Sequence, residues 1–471
     1  MSTALLTDMY ELTMLQAALA DGTAKRRSVF EIFGRSMPPS RRFGVVAGTG
    51  RFLEALENFH FEPEQLRFLS DQGIVDKATI NYLENFHFNG NIYGYGEGEC
   101  YFPGSPLLTV ESDFAQACII ETMALSIFNH DCAVASAASR MTIAAHGRPC
   151  MDFGARRTHE DAAVSAARAA VVSGFTSTSD LEAGMRYGIR CVGTSAHAFT
   201  LLHDDERTAF DSQIASLGVG TTILVDTYDI ARGVQRAVDA AKAAGGTLGA
   251  VRLDSGDLVA EAFKVRAQLD SLGCPDTKIV VTSDLDEYAI AALGAAPVDI
   301  YGVGTKLVTG SGVPTAALVY KMVERENSAG EMEKVAKKSS GGKSSVGGRK
   351  TAGRVIIDGS ATEELLISAL DPEAAEAELE RNQARPLQVQ LVENGQIIPE
   401  HYDDGALTRA AERHRAARAQ LPYQAWRLSE GEIAIPTRRV DLDSRETKQG
   451  WAKPAPPGQP GLRPAKASAE R

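Results

Sequence analysis

Leu5, Leu6, Met9, Leu12, Leu15 and Leu19 recur at helical spacing, and Thr7 or Asp8 stands where a cap belongs, so the pattern predicts a helix over 5–20. Apolar runs at 28–33 and 90–102 read as strands, and the long Ala-rich periodic stretch 111–145 reads as one or two helices. From Pro149 onward the rhythm changes. Short apolar runs end in polar or glycine residues: Cys150-Met151-Asp152-Phe153-Gly154, Val171-Val172-Ser173-Gly174, Cys191-Val192-Gly193-Thr194, Ile223-Leu224-Val225-Asp226, Val251-Arg252-Leu253-Asp254, Ile279-Val280-Val281-Thr282 and Val298-Asp299-Ile300-Tyr301-Gly302. Helical patterns lie between several of them, at 160–170, 234–244 and 258–272. This alternation is the mark of parallel βα units. Seven of them suggest a barrel or partial barrel rather than a flat sheet.

After Val308 strands return at 318–323 and 387–398, the latter folded at Asn394-Gly395, with helices at 372–381 and 405–420. The expected organisation is an N-terminal α/β domain over 1–147, completed by elements from 315–442, and a barrel domain over 148–314. Residues 337–354, rich in Lys, Ser and Gly, read as a flexible loop, and the proline-rich stretch 443–471 as a disordered tail.

Composition narrows the class. The chain has 471 residues, 44% hydrophobic and 23% charged, with a formal net charge of −12. That charge disfavours general nucleic-acid or anionic-membrane binding. There is no run of the length that spans a bilayer and no signal-peptide pattern, so a cytoplasmic protein is expected. The six cysteines lack zinc or CxxC spacing and read as small buried thiols in a reducing compartment.

In barrels, chemistry sits at the C-terminal ends of the strands. Those ends carry Arg156, His197, Asp226, Arg252, Asp254, Asp257, Asp284 and Thr305. Helix capping competes as the reading for any single acid. Two phosphate motifs fail: Gly342-Lys343-Ser344 lacks the earlier glycine of a Walker A loop, where Lys337 stands, and Gly94-Tyr95-Gly96-Glu97-Gly98 has no helix after it.

Longer strings are more specific. Leu6-Thr7-Asp8-Met9-Tyr10-Glu11-Leu12-Thr13-Met14, Phe153-Gly154-Ala155-Arg156-Arg157, Gly193-Thr194-Ser195-Ala196-His197, Val225-Asp226-Thr227-Tyr228, Arg252-Leu253-Asp254-Ser255-Gly256-Asp257-Leu258, Gly302-Val303-Gly304-Thr305 and Val319-Tyr320-Lys321 follow one another in order. Together they resemble the nicotinate phosphoribosyltransferases, from residue 5 to about 354 and more loosely to 442. The resemblance implies an irregular α/β barrel of the type II phosphoribosyltransferases beside an N-terminal α/β domain, working as a homodimer with shared active sites. It also implies ATP-coupled synthesis of nicotinate mononucleotide from nicotinate and 5-phosphoribosyl 1-diphosphate, the entry of nicotinate into NAD biosynthesis.

Those substrates give the residues chemical sense. A flat ring bearing a carboxylate suits aromatic faces and a planar guanidinium. Phe153 is expected as one face, Arg252 as the carboxylate clamp and Thr194 as a further donor; through the resemblance, Tyr10 supplies the other face from the partner subunit. For the phosphates, glycine turns after the last two strands suggest Ser283, Gly302, Gly304 and Thr305, with Ser255, Asp257, Arg156 and Arg157 nearby. Asp254 and Asp257 are candidates for the ribose hydroxyls or Mg²⁺, although Asp257 also suits the cap of the helix at Leu258. The resemblance makes His197 the phosphorylated histidine, with Asp226 as its candidate orienting carboxylate. Lys338, Lys343, Gly348 and Lys350 loosely fit the family's Lys/Gly/Ser string, a candidate lid.

The nearest rival is a nicotinamide phosphoribosyltransferase, against which Arg252 speaks. A quinolinate phosphoribosyltransferase should be shorter. A sugar-phosphate lyase would want a Schiff-base lysine, and Lys306 sits beyond its glycine turn. A non-catalytic binding protein would have no need of His197.

Overall fold

The computed structural model describes residues 2–337 and 345–444. Its centre is a parallel sheet in the order Ser177–Thr178, Cys150–Asp152, Ile300–Val303, Lys278–Ser283, Ala250–Leu253, Thr222–Leu224. Successive strands are neighbours except Ser177–Thr178 and Thr222–Leu224, which form the two edges, and Cys150–Asp152, first in the chain, pairs with Ile300–Val303, the last. That closing pair curls the sheet into a barrel wall. A single bridge, Thr178 to Cys191, adds one more position beyond Ser177–Thr178. Among the described residues the ring stays open between Cys191 and Thr222–Leu224.

Amphipathic helices pack around this wall. Val234, Ala237, Val238 and Ala241 of Ile230–Ala243 are buried, as are Ala262, Val265 and Leu269 of Leu258–Ser271. Both facing sets recur at three- and four-residue spacing.

Two sequence expectations for the wall fail. Val171-Val172-Ser173-Gly174 is not a strand end: Val171 and Val172 finish the helix Glu160–Val172, and Gly174 turns the chain at φ +97°. The Ala-rich run before them carries the helix through its β-branched end. The strand at this point is two residues, Ser177–Thr178. Cys191-Val192-Gly193-Thr194 forms one bridge rather than a strand.

Beside the barrel lies an antiparallel seven-stranded sheet, in the order Met332–Lys334, Leu318–Glu326, Arg27–Gly34, Leu108–Asp113, Asn91–Tyr95, Gln388–Glu393, Gln396–Ile397. It takes strands from both ends of the chain. The Asn394-Gly395 turn has both residues at positive φ, 48° and 79°, as a two-residue hairpin requires. The expected helix over 111–145 begins later. Residues 111–113 end the strand Leu108–Asp113, Asp113 caps Phe114–Cys118, and the long helix is Glu121–Ala144. The helix expected at 5–20 is Met9–Asp21.

A four-stranded sheet, ordered Ala384–Pro386, Lys350–Ile357, Ser360–Ser368, Thr437–Asp441, takes residues 350–354 out of the loop expected over 337–354. Lys350 and Arg354 belong to a strand and are buried, because acids neutralise them. Lys350 Nζ lies 2.8 Å from Glu31 Oε2. The Arg354 guanidinium donates to Glu99 and to Glu364, each at 2.6 Å, and to the Cys100 carbonyl at 2.7 Å. Tyr95 and Ser105 hydroxyls also donate to Glu364, and Arg385 to Glu99. Burial works against ionised Glu99, but Arg354 and Arg385 outweigh it and hold the carboxyl below its usual range. Lys338 and Lys343 of the candidate lid, and residues 445–471 of the expected tail, lie outside the described residues.

Five cysteines are buried free thiols, but Cys191 is exposed because it sits at the open edge of the wall. Among the described residues no helix is long and apolar enough to cross a membrane.

Removing the Arg354 charge strands two buried carboxylates, which costs about 3–5 kcal/mol. Arg354→Met is therefore expected to lower the urea midpoint by that equivalent, and a loss of under about 1 kcal/mol would refute the keystone role.

Candidate active site

The C-terminal ends of the parallel strands converge on one connected cluster. Phe153 follows Cys150–Asp152, and its N–H donates to the Val303 carbonyl at 2.8 Å. Gly302 makes room for its ring: a Cβ there would lie 2.7 Å from two Phe153 ring carbons and 2.6 Å from Thr282 Cγ2. The glycine expected at a phosphate is thus required sterically, by the aromatic ring.

Arg252 points from Ala250–Leu253 to the same place, its guanidinium carbon 5.6 Å from the centre of the Phe153 ring. Three of its N–H groups are engaged: Nε with Thr282 Oγ1 at 2.9 Å, one terminal nitrogen with Thr194 Oγ1 at 3.0 Å, the other with Asp254 Oδ1 at 3.1 Å. A guanidinium has five donors. One N–H on each terminal nitrogen therefore remains for a two-point grip on a carboxylate. Asp254 Oδ1 also accepts the Thr282 hydroxyl. Burial pushes the Asp254 carboxyl up, but Thr282 and Arg252 outweigh it and hold it below the usual range. It is a fixed negative charge at neutral pH.

Asp226 continues the chain of contacts. Its Oδ2 accepts the Asp254 N–H at 2.9 Å and the Ser255 hydroxyl at 2.7 Å, so it shapes the Asp254-Ser255-Gly256-Asp257 turn, in which Gly256 takes φ +86°. Its Oδ1 is buried without a hydrogen-bond partner and lies 3.9 Å from His197 Nε2. The hydrogen bond to the imidazole comes from Thr227, whose Oγ1 is 3.1 Å from Nδ1. His197 opens the short helix His197–Leu202 and its side chain is 42% exposed, within reach of a large phosphate donor.

The other expected residues divide. Asp257 caps Leu258–Ser271, accepting the Ala260 N–H at 3.1 Å, so the helix-cap alternative describes its position. Arg156 and Arg157 are exposed on the turn that closes with Arg157 N–H on the Gly154 carbonyl at 2.8 Å. Ser283 ends Lys278–Ser283 at φ +148°, a strained backbone for a non-glycine residue. Thr305 begins Thr305–Val308 directly after Gly304, where a Cβ would lie 3.3 Å from the Phe153 carbonyl oxygen. Tyr10 stands apart. It lies on Met9–Asp21, 43% exposed, and its pKa is raised by burial and by neighbouring Glu121 and Glu11; it makes no ring contact or hydrogen bond with the Phe153–Arg252 cluster.

Sequence reasoning gave no roles to Thr227, Asp152 and Thr178, and took Thr282 only as part of the phosphate loop with Ser283 and Asp284. Thr282 and Thr227 sit one residue from expected site positions, so their signal was proximity. Thr178, in a two-residue strand, had none. Two concavities lie away from this cluster, of about 670 Å³ beside Arg35 and Ile433 and about 640 Å³ beside Tyr187 and Tyr402. Convergent chemistry, rather than concavity, marks this site.

Residues 5–129 match the nicotinate phosphoribosyltransferase (NAPRTase) N-terminal domain. A nicotinate phosphoribosyltransferase of Mycobacterium tuberculosis is 50% identical over 93% of this chain and 95% of its own. One from Bacillus subtilis is 38% identical over 75% of this chain and 74% of its own. The fold is shared with human nicotinic acid phosphoribosyltransferase, at a TM-score of 0.75 and 21% identity over 92% of this chain and 97% of that one. A nicotinate-nucleotide pyrophosphorylase from Pyrococcus furiosus has a TM-score of 0.68 at 25% identity, over 88% and 96%. With half its residues shared along nearly its whole length with such an enzyme, the chain belongs to the nicotinate phosphoribosyltransferase family.

Proposed function

We propose that this chain joins nicotinate to 5-phosphoribosyl 1-diphosphate, with ATP coupling through His197, and so commits nicotinate to NAD biosynthesis. The observation that carries the reading is the Arg252 fork, which faces Phe153 and keeps an N–H on each terminal nitrogen. The pyridine ring lies on Phe153 and its carboxylate takes those two donors. Thr194 and Asp254 hold the guanidinium in the plane this grip needs.

The 5′-phosphate rests in the turns after the last two strands, at Ser283 and at Gly302, Gly304 and Thr305, where backbone N–H groups supply donors. Arg156 and Arg157 meet the diphosphate. The C1–O bond breaks with its electron pair leaving on diphosphate, and the pyridine nitrogen's lone pair forms the new bond to C1. No proton moves in this step. The ionised Asp254 favours the cationic ribose as the bond breaks.

Mg²⁺ neutralises the leaving diphosphate when bound. The donor set fits only a site completed by substrate oxygens. Among the described residues no three candidate ligands cluster, Asp254 gives one oxygen to Arg252 and Thr282, and Asp257 gives one to its helix. The second oxygens of Asp254 and Asp257 would hold the ion.

His197 accepts the γ-phosphoryl group of ATP, with ADP as the leaving group, and water later removes it as phosphate. Each ~1.4 kcal/mol so supplied shifts the transfer equilibrium about tenfold. The apolar side chains exposed on and before Met9–Asp21 (Leu5, Leu6, Met9 and Met14) support a homodimer in which Tyr10 reaches the partner's ring site. The six unpaired cysteines suit a reducing cytoplasm.

γ-Labelled ATP should leave acid-labile label on the parent and none on His197→Asn, which should stop consuming ATP yet retain slow transfer. Normal ATP turnover by that variant would sink the phosphohistidine. Arg252→Lys should raise KM for nicotinate roughly 10- to 100-fold, by loss of a charged two-point contact, with KM for phosphoribosyl diphosphate little changed. In a competition turnover assay nicotinate should win over nicotinamide; preference for the amide would give the site to the rival activity.

A further inference from the structure

Below the ring site, Cys150–Asp152 ends in a carboxylate that the steps above do not use. Asp152 is 1% exposed. Its Oδ1 accepts the Gly154 N–H at 2.8 Å, and its Oδ2 the Thr178 hydroxyl at 2.7 Å. Gly154 is held from its other side, since a Cβ there would come within 2.2 Å of Val308 Cγ1. This turn carries Phe153, Arg156 and Arg157.

Thr178 faces the opposite way along the chain. It is fully buried, its N–H donates to the Arg190 carbonyl at 3.1 Å, and its carbonyl accepts the Val192 N–H at 2.9 Å. Through the Cys191 bridge it is therefore the anchor of the segment that runs on to Thr194 and His197. One buried carboxylate thus touches two loops that must meet across the site.

An amide would serve this junction poorly. Thr178 Oγ1 already accepts the Asp180 N–H at 3.0 Å, so its hydroxyl proton must be given to an acceptor. Asn could turn its oxygen to Gly154 or to Thr178, but not to both. The carboxylate is also unfavourable to keep. Burial, opposed by the Thr178 and Gly154 hydrogen bonds and reinforced by Asp180, the charged group facing it, leaves its pKa raised from 3.8 to about 6. A folded pKa above the unfolded one means that this group's contribution to stability is present below about 3.8 and lost as pH rises through about 6.

We propose that Asp152 is a positioning residue: through Gly154 and Thr178 its carboxylate locks the 153–157 turn to the 190–197 segment, setting Phe153 over Arg252 and His197 beside Asp226. The inference rests on the functional reading above for its kinetic consequence, but not for its structural one.

The test pairs kinetics with hydrogen exchange read by mass spectrometry, on the parent, Asp152→Asn, Thr178→Val and Thr178→Ser. In Asp152→Asn and Thr178→Val, amide exchange in both 153–157 and 191–197 should rise roughly tenfold or more, and kcat/KM should fall by a similar factor. Thr178→Ser, which restores the hydroxyl, should recover both. The Tm difference between Asp152→Asn and the parent should move in the variant's favour as pH rises from about 4 to about 7. Exchange within about twofold of the parent in either segment, or kinetics unmoved in a folded Thr178→Val protein, would overturn the proposal. If Asp152→Asn does not fold, Thr178→Val and its serine rescue decide the matter. A parent without turnover would refute the functional reading and leave the exchange result to judge the lock.

Discussion

The pairing of Cys150–Asp152 with Ile300–Val303 is the constraint on which the site depends. These strands are far apart in sequence, yet their ladder continues past the sheet when the Phe153 N–H meets the Val303 carbonyl. The aromatic ring then falls over the last strand, where only a residue without Cβ leaves it space. Glycine at 302, phenylalanine at 153 and arginine at 252 are consequently one decision. A side chain at 302 would crowd both the Phe153 ring and the Thr282 methyl, and so disturb the ring and the threonine that holds the guanidinium.

Buried charge is used in two ways around that pair. Arg354 with Glu99 and Glu364, and Arg140 with Glu287, are buried ion pairs that join layers, although Arg354 Nε has no hydrogen-bond partner. Arg168 does the same with Glu97, holding Glu160–Val172 against the N-terminal part of the chain. The strand-exit charges are left incomplete: Arg252 keeps donors in hand and Asp226 keeps an oxygen without a hydrogen bond.

Much of this was legible in the sequence, for identifiable reasons. The regular return of short apolar runs ending in Asp, Thr or Gly announced the barrel and its working end, and local turn chemistry announced the Asn394-Gly395 hairpin. Where local pattern and tertiary structure part, the reading failed. Ser177–Thr178 is too short to show a period. The Lys350–Ser368 hairpin was hidden by a basic, glycine-rich approach, although Asp358-Gly359, both at positive φ, was a usable signal. Lys350 and Arg354 fell within the expected loop because Glu31 and Glu99 lie hundreds of positions away, and only Glu364 is near in sequence. The Thr227 bond to His197 spans 30 residues, and no spacing rule reaches it.

The seven-stranded sheet has a further consequence for how the molecule comes into being. On a ribosome, Arg27–Gly34 and Leu108–Asp113 emerge with one edge unsatisfied, and Leu318–Glu326 is not yet made. The parallel wall, contained between Cys150 and Val303, can close while that edge still waits. Synthesis order therefore favours a nascent chain whose ring is assembled first, leaving the older strands open to chaperones or to mispairing until the last third of translation arrives.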